Sequence, residues 1–390
     1  MRRILPVLIV SLLVLGACDD SDDDDGGGGG SGNRDDSSAE ASVLVFNGEG
    51  NNLKAYTAEP PFDTQQVITN AEDDPGGLDI NAQICFFADG TRMVAGEDTG
   101  QPDPPAGWGI FEVDGDALGD LSARKIGKLT PTYQDSEDSP ENYGCGVLSD
   151  GRIVTTDIGD QVLGDGNGQL IIWFPPFDRG ADGEVGAVPY CKLDVGIATA
   201  GGIAVDEEDN LYVASARPPT GGVWRYPGPF PTDDTPEGGC ASTDTTGAPM
   251  ADDVAKELFI PAGDHGLGTP VAVAITDDGN FFVSSVFTGV INEYDAEGAF
   301  VRTILSPPED ETIGPESYST GTPLGIGLGP DGTLYYADIA IVAEPGELPG
   351  PGPGGTVRRI VFVDGEPQPP EIIADGLAFP DGIGVRTTGG

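Results

Sequence analysis

The sequence predicts an all-β fold, a six-bladed β-propeller with four-stranded blades. The first observation behind this is a unit made of an apolar strand, a turn that usually contains Asp-Gly, and a second apolar strand. Asp-Gly between alternating apolar runs is a strong signal for a β-hairpin. The second observation is that Gly and Pro are abundant and no segment has a sustained helical period. The units begin at Gln83, Gly144, Gly202, Ala272 and Gly325.

Each of these hairpins is followed by two more strand patterns. The third strands are WGIFEVD, QLIIWF, GVWRY, VINEYD and TVRRIVF, and the fourth are ARKIGKL, PYCKLDV, KELFIP, VRTIL and PEIIAD. Four strands in a regularly recurring unit are typical of a propeller blade. The five units therefore predict blades 1 to 5.

The two ends of the chain predict a sixth blade. FPDGIGVR, from Phe379, reads as a first strand with no partner after it. SVLVFN, from Ser42, reads as a second strand with none before it, and NLKAY and QQVIT supply the third and fourth strands. We therefore expect the N- and C-terminal strands to close the ring together, which removes sheet edges that could template aggregation.

The first residues predict export and a lipid anchor. Arg2 and Arg3 precede an apolar run over residues 4–14, which is too short for a membrane-spanning helix. Leu15-Gly16-Ala17-Cys18 then resembles a bacterial lipobox, so residues 1–17 are interpreted as a lipoprotein signal peptide and Cys18 as the lipidated residue. The alternative is an ordinary signal peptide with a Cys present by chance. We expect a protein of the bacterial cell envelope, on the periplasmic face or the cell surface, held by acyl chains that do not span the bilayer.

Residues 18–41 comprise the lipidated Cys and a segment rich in Asp, Gly and Ser. This segment has no apolar run with which to form a core, so the sequence predicts a disordered tether. Residues 42–390 form the predicted propeller.

The charge is strongly acidic, with 66 Asp and Glu against 18 Lys and Arg and a net charge of −48. Such a surface disfavours nucleic acid and anionic lipid headgroups, so we expect no nucleic-acid partner and membrane contact only through the lipid. It suits cations or basic partners. The alternative is that the charge serves solubility alone. We expect a monomer.

Four cysteines remain after Cys18, an even number that predicts two disulfides in an exported domain, with three pairings possible. None lies in a CxxC pair, which disfavours a redox or zinc site. Cys191 is predicted on an outer strand of blade 2 and Cys240 in a long insertion of blade 3, residues 227–255, which favours Cys191–Cys240. Cys85 and Cys145 lie on neighbouring inner strands and are the second candidate pair.

One face of the predicted ring carries most of the long connections. We call it the loop face; it holds the loops from strand two to strand three and from strand four to the next blade. Long loops on a rigid scaffold are where function is usually found. The long loop-face connections are residues 97–107, 130–141, 157–168, 306–322 and 343–355.

Several candidate metal ligands are expected on this face. Asp381 precedes the first strand of blade 6, while Asn47, Asp157 and Asp338 end second strands. Carboxylate and amide oxygens are the ligands that Ca²⁺ prefers. The sequence therefore allows a site for Ca²⁺ or another divalent cation on Asp381, Asp338 and Asn47, with Asp157 a further candidate. The alternative is that these acids cap turns and accept from backbone amides.

The repeats resemble a known family. PLGIGLGPDGTLYYAD, GGIAVDEEDNLYVAS and FPDGIGV are similar to repeats of the senescence-marker-protein/gluconolactonase group, which includes luciferin-regenerating-enzyme-like proteins, and of the NHL group. The resemblance implies a six-bladed propeller. In the gluconolactonase group it also implies a divalent metal at the channel mouth on a Glu, an Asn and an Asp. Asp381 matches that Asp, but the Asn position falls on Leu324 or Val271 and no equivalent of the Glu is found, which argues against lactonase chemistry.

Other catalytic chemistry has little support. His265 is the sole histidine, and no GxSxG motif accompanies it, which disfavours a Ser-His-Asp triad and excludes a His-rich metal site. Two short runs, Asp114-Gly-Asp116 and Asp165-Gly-Asn167, resemble fragments of calcium loops without the closing Glu. Four aromatic residues of the loop face could stack on a sugar or peptide. Alternatively, their side chains could cover the base of the loops that carry them: Trp108, Tyr133, Tyr143 and Tyr318.

Two functions follow from these patterns. The first is a non-catalytic binding or scaffold propeller that meets a protein or small-molecule ligand at its acidic loop face. The second is a divalent-metal-dependent hydrolase of lactones or phosphoesters, in which a metal-activated water attacks the ester. Convergence of Asp381, Asp338 and Asn47 around a shared cation would favour the hydrolase.

Overall fold

The computed structural model describes residues 42–74, 77–97, 107–130, 142–158, 168–179, 186–217, 220–245, 247–346 and 348–388. The predicted signal peptide, Cys18 and the predicted tether lie outside these ranges. The regular structure of the described residues is β-strand, arranged in six blade sheets, as predicted. Within these ranges, no helix is long and apolar enough to cross a membrane.

The strands follow the predicted blade order. The N-terminal strands of blade 6 are β1 (Ser42–Glu49), β2 (Asn52–Thr57) and β3 (Thr64–Ile68). Blade 1 comprises β4 (Ile80–Phe86), β5 (Arg92–Glu97), β6 (Gly107–Asp114) and β7 (Ser122–Leu129). Blade 2 comprises β8 (Asn142–Val147), β9 (Ile153–Asp157), β10 (Gly168–Trp173) and β11 (Tyr190–Ile197).

Blade 3 comprises β12 (Ala200–Val205), β13 (Leu211–Ser215) and β14 (Gly222–Tyr226), then, after the short strands β15 (Ser242–Thr243) and β16 (Pro249–Met250), β17 (Glu257–Pro261). Blade 4 comprises β18 (Pro270–Ile275), β19 (Phe281–Ser285), β20 (Val290–Tyr294) and β21 (Phe300–Leu305).

Blade 5 contains β22 (Pro323–Leu328), β23 (Leu334–Asp338), β26 (Gly355–Ile360) and β29 (Glu371–Leu377). Two small hairpins interrupt it: β24 (Ile341–Val342) with β25 (Gly350–Pro351), and β27 (Phe362–Val363) with β28 (Glu366–Pro367). The last strand is β30 (Ile383–Thr388).

Blade 6 is closed by both ends of the described chain, as predicted. Its strand order is β3-β2-β1-β30, so the C-terminal strand is the innermost. β1 and β30 pair antiparallel, with Ser42 opposite Thr388 and Phe46 opposite Gly384. Arg386 of β30 also donates from Nε to the carbonyl oxygen of Gly90 in blade 1 at 2.6 Å, which ties the closing strand to the next blade.

The turns between strands one and two of blades 1 to 5 lie opposite the loop face, and we call that side the hairpin face. Four Asp side chains stabilise these turns by accepting from the amide two residues on: Asp89 from Thr91 at 2.9 Å, Asp150 from Arg152 at 3.0 Å, Asp206 from Glu208 at 3.1 Å, and Asp331 from Thr333 at 3.0 Å. This Asx-turn chemistry is the physical reason that Asp-Gly marks the hairpins.

Small residues let the inner strands approach one another near the axis. A Cβ on Gly382 would lie 1.7 Å from the carbonyl oxygen of Ala82, and one on Gly325 would lie 2.2 Å from that of Asp381. The corresponding residue of blade 1 is Gln83, whose side-chain amide forms hydrogen bonds with the backbone of Ile203 in blade 3. Residues from all six inner strands line a central channel with a volume of about 270 Å³.

Both predicted disulfides are present. Cys85–Cys145 joins the inner strands of blades 1 and 2, and Cys191–Cys240 joins the outer strand of blade 2 to the blade 3 insertion. That insertion also adds β16 to the edge of blade 2, where Met250 pairs with Lys192. The insertion therefore covers the edge strand of a neighbouring blade, which protects it from pairing with other chains.

Candidate functional site

Asp381 and Asn47 lie beside each other at the loop end of blade 6. Asp381 accepts from the amides of Ala82 at 2.7 Å and Gly382 at 2.5 Å, one with each carboxylate oxygen. Asn47 is fully buried and donates from Nδ2 to the carbonyl oxygen of Gly382 at 2.7 Å. Its Oδ1 has no hydrogen-bond partner among the described residues. Closure of β1 on β30 thus places an unused buried acceptor next to Asp381.

Tyr143 contributes a third polar group near this position. It lies on the inner strand of blade 2 and is 8% exposed, and its hydroxyl has no hydrogen-bond partner within the part of the chain that the structure describes. Burial, and then the negative charge of Asp381, raise the pKa of Tyr143 well above its ordinary value. The phenol is therefore a neutral donor. We call Asn47, Tyr143 and Asp381 the axial cluster.

Asp338 is held by its own blade. Its Oδ1 accepts from the amides of Thr322 at 2.6 Å and Ala340 at 2.8 Å. Its Oδ2 accepts from the Thr356 hydroxyl at 3.0 Å and from Arg358 Nη2 at 3.2 Å, an ion pair in which the Asp338 side chain is 2% exposed. A cation at Asp338 would have to compete with this guanidinium and with the hydrogen bonds around it.

Asp157 lies close to a buried lysine. Asp157 is 3% exposed, and Lys192, on the outer strand of the same blade, is 1% exposed. Lys192 forms an ion pair with Asp244 of the blade 3 insertion. Burial lowers the pKa of Lys192, while the charges of Asp244 and Asp157 oppose that effect. Asp157 is therefore a buried acid in the electrostatic environment of the Lys192–Asp244 ion pair.

Glu97 forms a similar network in blade 1. It is buried at the end of β5, where its Oε2 lies 2.8 Å from Lys125 Nζ and 3.1 Å from Lys128 Nζ. Burial lowers the pKa of Lys128 and the charge of Glu97 opposes that effect. Because buried charges need partners, these contacts explain why two lysines can point inward from an outer strand.

The arrangement does not fit a metal centre built on three carboxylates. Glu97, Asp157 and Asp338 each lie near a cation from the outer strands of their own blade. Within the described ranges, no group of three or more His, Cys, Asp or Glu side chains could hold a metal ion. Of the predicted ligands, Asn47 has a buried amide oxygen with no hydrogen-bond partner among the described residues, and Asp381 accepts from two backbone amides; the Ca²⁺ site stays a prediction.

The other candidates take structural positions or lie outside the described residues. His265 is exposed and stacks on Phe300, with ring centroids 3.6 Å apart. Trp108 is buried among side chains of blades 1 and 2. Tyr318 is half-buried against Gly289. In Asp114-Gly-Asp116, the Gly115 carbonyl oxygen accepts from Arg386 at 2.6 Å. Tyr133 and Asp165-Gly-Asn167 are outside the described ranges.

Sequence reasoning missed two features of this region. Gln83 is the one large residue at an inner-strand position that holds Gly or Ala in the other five blades, and that contrast could have identified it. Lys128 and Lys192 occupy equivalent fourth strands, ARKIGKL and PYCKLDV, and a Lys inside an apolar strand pattern could have signalled a buried ion pair.

Comparison with known proteins supports the fold. No family model matches the chain, and no curated protein matches its sequence. A chain of the nidogen/laminin complex aligns with a TM-score of 0.52 at 10% identity, covering 88% of this chain and 98% of that one. Regucalcin, a calcium-binding protein from Agrobacterium tumefaciens, aligns with a TM-score of 0.43 at 14% identity, covering 76% of this chain and 77% of that one.

A gluconolactonase from Xanthomonas campestris aligns with a TM-score of 0.43 at 14% identity, covering 74% of this chain and 75% of that one. The structural neighbours thus include propellers of the senescence-marker-protein/gluconolactonase type. At these identities the similarity concerns the fold alone, because propellers of one architecture carry many unrelated functions.

Proposed function

We propose that this protein is an envelope-anchored lipoprotein whose propeller binds a partner at its acidic loop face without catalysis. One observation carries the proposal. The buried carboxylates at the loop-face ends of second strands, Glu97, Asp157 and Asp338, lie near lysines or an arginine of their own blades. They stabilise the scaffold, so the chemistry presented to a partner comes from the loops above them.

The described loops of this face present exposed acids. The connection from blade 4 to blade 5 and the loop after β23 supply Glu309, Asp310, Glu316 and Glu344. In a chain of net charge −48, such a surface attracts a basic partner by long-range electrostatics, which raises the rate of association and makes it salt-dependent. The partner we expect is therefore a protein segment or ligand that carries positive charge.

A basic probe tests this surface. A short Lys-rich peptide would be titrated into the protein, and into a variant in which Glu309, Glu316 and Glu344 become Gln and Asp310 becomes Asn. The matched control changes four exposed acids of the hairpin face in the same way: Glu207, Glu208, Asp277 and Asp278. We expect the loop-face variant to weaken binding more than the control at low ionic strength.

Equal weakening by both variants would show that the probe responds to net charge, and it would contradict a defined binding surface. A loop-face effect that diminishes as salt is added, as expected for electrostatic attraction, would support the proposal. Circular dichroism and thermal melting of both variants establish that each remains folded, so that a change in binding is not a change in stability.

A second candidate function rests on Asn47. Its buried Oδ1 has no hydrogen-bond partner among the described residues, and its Nδ2 donates to the carbonyl oxygen of Gly382, the residue after Asp381. A divalent cation on Asn47 and Asp381 would activate water for attack on a lactone or phosphoester. In that reaction Asn47 and Asp381 would hold the ion, and the neutral Tyr143 hydroxyl would donate to a substrate oxygen.

Metal analysis separates the two functions. A chain that starts near Asn33 contains the whole described propeller, and it would be assayed for bound divalent ions and melted with and without chelator. Bound metal, a chelator-induced loss of thermal stability and loss of the metal in Asn47→Ala would support the hydrolase and justify a lactone and phosphoester screen. A metal-free protein whose melt does not respond to added Ca²⁺ or to chelator would contradict it.

A further inference from the structure

The described propeller begins and ends at its hairpin face. Ser42, the first residue of β1, is opposite Thr388, the last residue of β30. A Cβ on Gly90, in the hairpin turn of blade 1, would lie 3.4 Å from the carbonyl oxygen of Thr387. Both strand ends therefore lie level with the hairpin turns, beside the inner strands.

The other end of β1 lies at the loop face. The carbonyl oxygen of Gly48 accepts from the amide of Asp381 at 3.2 Å, and Asp381 belongs to the connection that enters blade 6. β1 thus crosses the domain from the hairpin face to the loop face. Whatever precedes Ser42 must join the propeller on the hairpin side.

We infer that the hairpin face is the membrane-proximal face and that the loop face points away from the anchoring membrane. This inference rests on the proposed lipidation of Cys18. Residues 19–41 join Cys18 to Ser42. At no more than about 3.6 Å per residue, this connection spans at most about 80 Å. Because it joins the domain at one point on the hairpin face, that face is on average nearer the lipid.

The charge of the hairpin face keeps it from lying flat on an anionic bilayer. Its turns carry exposed carboxylates, whereas Arg92 and Arg152 lie within ion-pair distance of Asp89 and Asp150. An anionic headgroup surface repels such a face within a Debye length of about 8 Å at physiological salt. The exposed acids of these turns are Asp89, Asp150, Glu207, Glu208, Asp277, Asp278 and Asp331.

The orientation limits the kind of partner. A partner at the loop face must approach from the side away from the anchoring membrane, as a soluble basic protein or a component of an opposing envelope layer would. A basic protein embedded in the same membrane would instead meet the hairpin face.

Energy transfer to labelled lipid tests the orientation in the acylated full-length protein. Asp278→Cys labels the hairpin face and Glu309→Cys the loop face; both positions are exposed. Each variant would carry one fluorescent donor, with native disulfides intact, on vesicles of neutral lipid that contain an acceptor lipid. We expect greater transfer from position 278 than from position 309, and a wider difference after deletion of residues 22–32. Vesicles with anionic lipid should reduce transfer from both positions at low salt.

Equal transfer, or greater transfer from position 309, in a protein that is acylated and bound to vesicles would overturn the orientation and leave the lipidation intact. Mass spectrometry of the N-terminal peptide and a Cys18→Ala variant report on lipidation separately. A wild-type protein with no acyl chain and no vesicle binding would overturn the anchoring in the proposed function, and the orientation with it.

Discussion

Gln83 of blade 1 reaches past the inner strand of blade 2 and pairs with the backbone of Ile203 in blade 3. Its Oε1 accepts from the Ile203 amide at 3.0 Å, and its Nε2 donates to the Ile203 carbonyl oxygen at 3.0 Å. The same Oε1 also accepts from the Cys145 amide at 3.3 Å. One side chain therefore bonds the inner edges of two other blades, at the position where the remaining five blades have Gly or Ala.

Replacing Gln83 by Ala should destabilise the ring. Removing its amide takes hydrogen-bond partners from backbone groups of Ile203 and Cys145, at a cost of about 1–3 kcal/mol. The measurement is the free energy of unfolding from denaturant titration. Gln66→Ala is the control, because Gln66 is exposed and its amide bonds two side chains at the surface. If the free energies of unfolding of Gln83→Ala and Gln66→Ala were equal, water would be replacing the Gln83 hydrogen bonds at no cost in stability.

Replacing Arg386 by Ala should weaken the closure of blade 6 on blade 1. Arg386 is 3% exposed and donates to the carbonyl oxygens of Gly90 and Gly115, both at 2.6 Å. Loss of two charge-assisted bonds should lower the free energy of unfolding by about 3 kcal/mol. Arg124→Ala removes an exposed ion pair with Glu112 and should cost less than about 1 kcal/mol. Equal costs for the two variants would contradict a closing role for Arg386.

Replacing Asp338 by Ala should act on stability rather than on metal binding. The change leaves Arg358 without its buried partner and should cost about 3–5 kcal/mol. Asp338→Asn keeps an acceptor for the Thr322 and Ala340 amides and should cost less. Glu257→Ala removes an exposed partner of Arg225 and is the control. The measurement is the unfolding midpoint of each protein with and without chelator. A chelator effect that is present in the wild type and disappears in Asp338→Ala would instead support Asp338 as a metal ligand.

Stability should fall in alkali, because burial raises the pKa of several tyrosines. The pKa of Tyr212 and that of Tyr335 are both raised to about 12 from an ordinary value of 10.0, first by burial and then by nearby acids. A phenol whose pKa is raised in the folded state stabilises the protein below pH 10.0, and this contribution is lost as the pH rises toward 12.

The buried lysines Lys128 and Lys192 change the pH dependence of stability in the opposite direction. Burial lowers their pKa values, so the folded protein loses these protons before the unfolded chain does, and stability rises as the pH approaches their ordinary value of 10.5. Seven tyrosines with a raised pKa outnumber these two lysines: Tyr56, Tyr143, Tyr212, Tyr226, Tyr294, Tyr335 and Tyr336. Denaturant midpoints should therefore drop between pH 10 and 12 as tyrosinate absorbance appears on unfolding; a constant midpoint would contradict this.

Much of the fold could be predicted because its signals are local. A strand alternates over a few residues, and the Asx turn at Asp331 needs only its own tetrapeptide. The incomplete strand sets that begin at Ser42 and Phe379 also predicted ring closure. A strand with no partner beside it in the sequence must pair with a strand elsewhere in the chain. The pairing Cys191–Cys240 followed from the same topology.

The site was less predictable because its chemistry depends on which side chains meet across blades. Asp338 and Asp381 look alike in the sequence, since each is an acid at a strand end. Asp338 faces Arg358 from the neighbouring strand, whereas Asp381 accepts the amide of Ala82 from the next blade. Nothing in either local pattern distinguishes an acid that accepts from a cation from one that accepts from backbone amides.

The number of blades, their strand order and the closure by both termini could be predicted from the sequence, because periodicity and turn chemistry act over short segments. The two cysteine pairs were candidates among three possible pairings, and the folded chain shows both. The roles of Gln83, Lys192 and the loop-face carboxylates, and the face from which Ser42 emerges, depend on how the blades pack together. Those properties arise from burial and from contacts between blades, where the removal of water makes the partner of each charge and amide decisive.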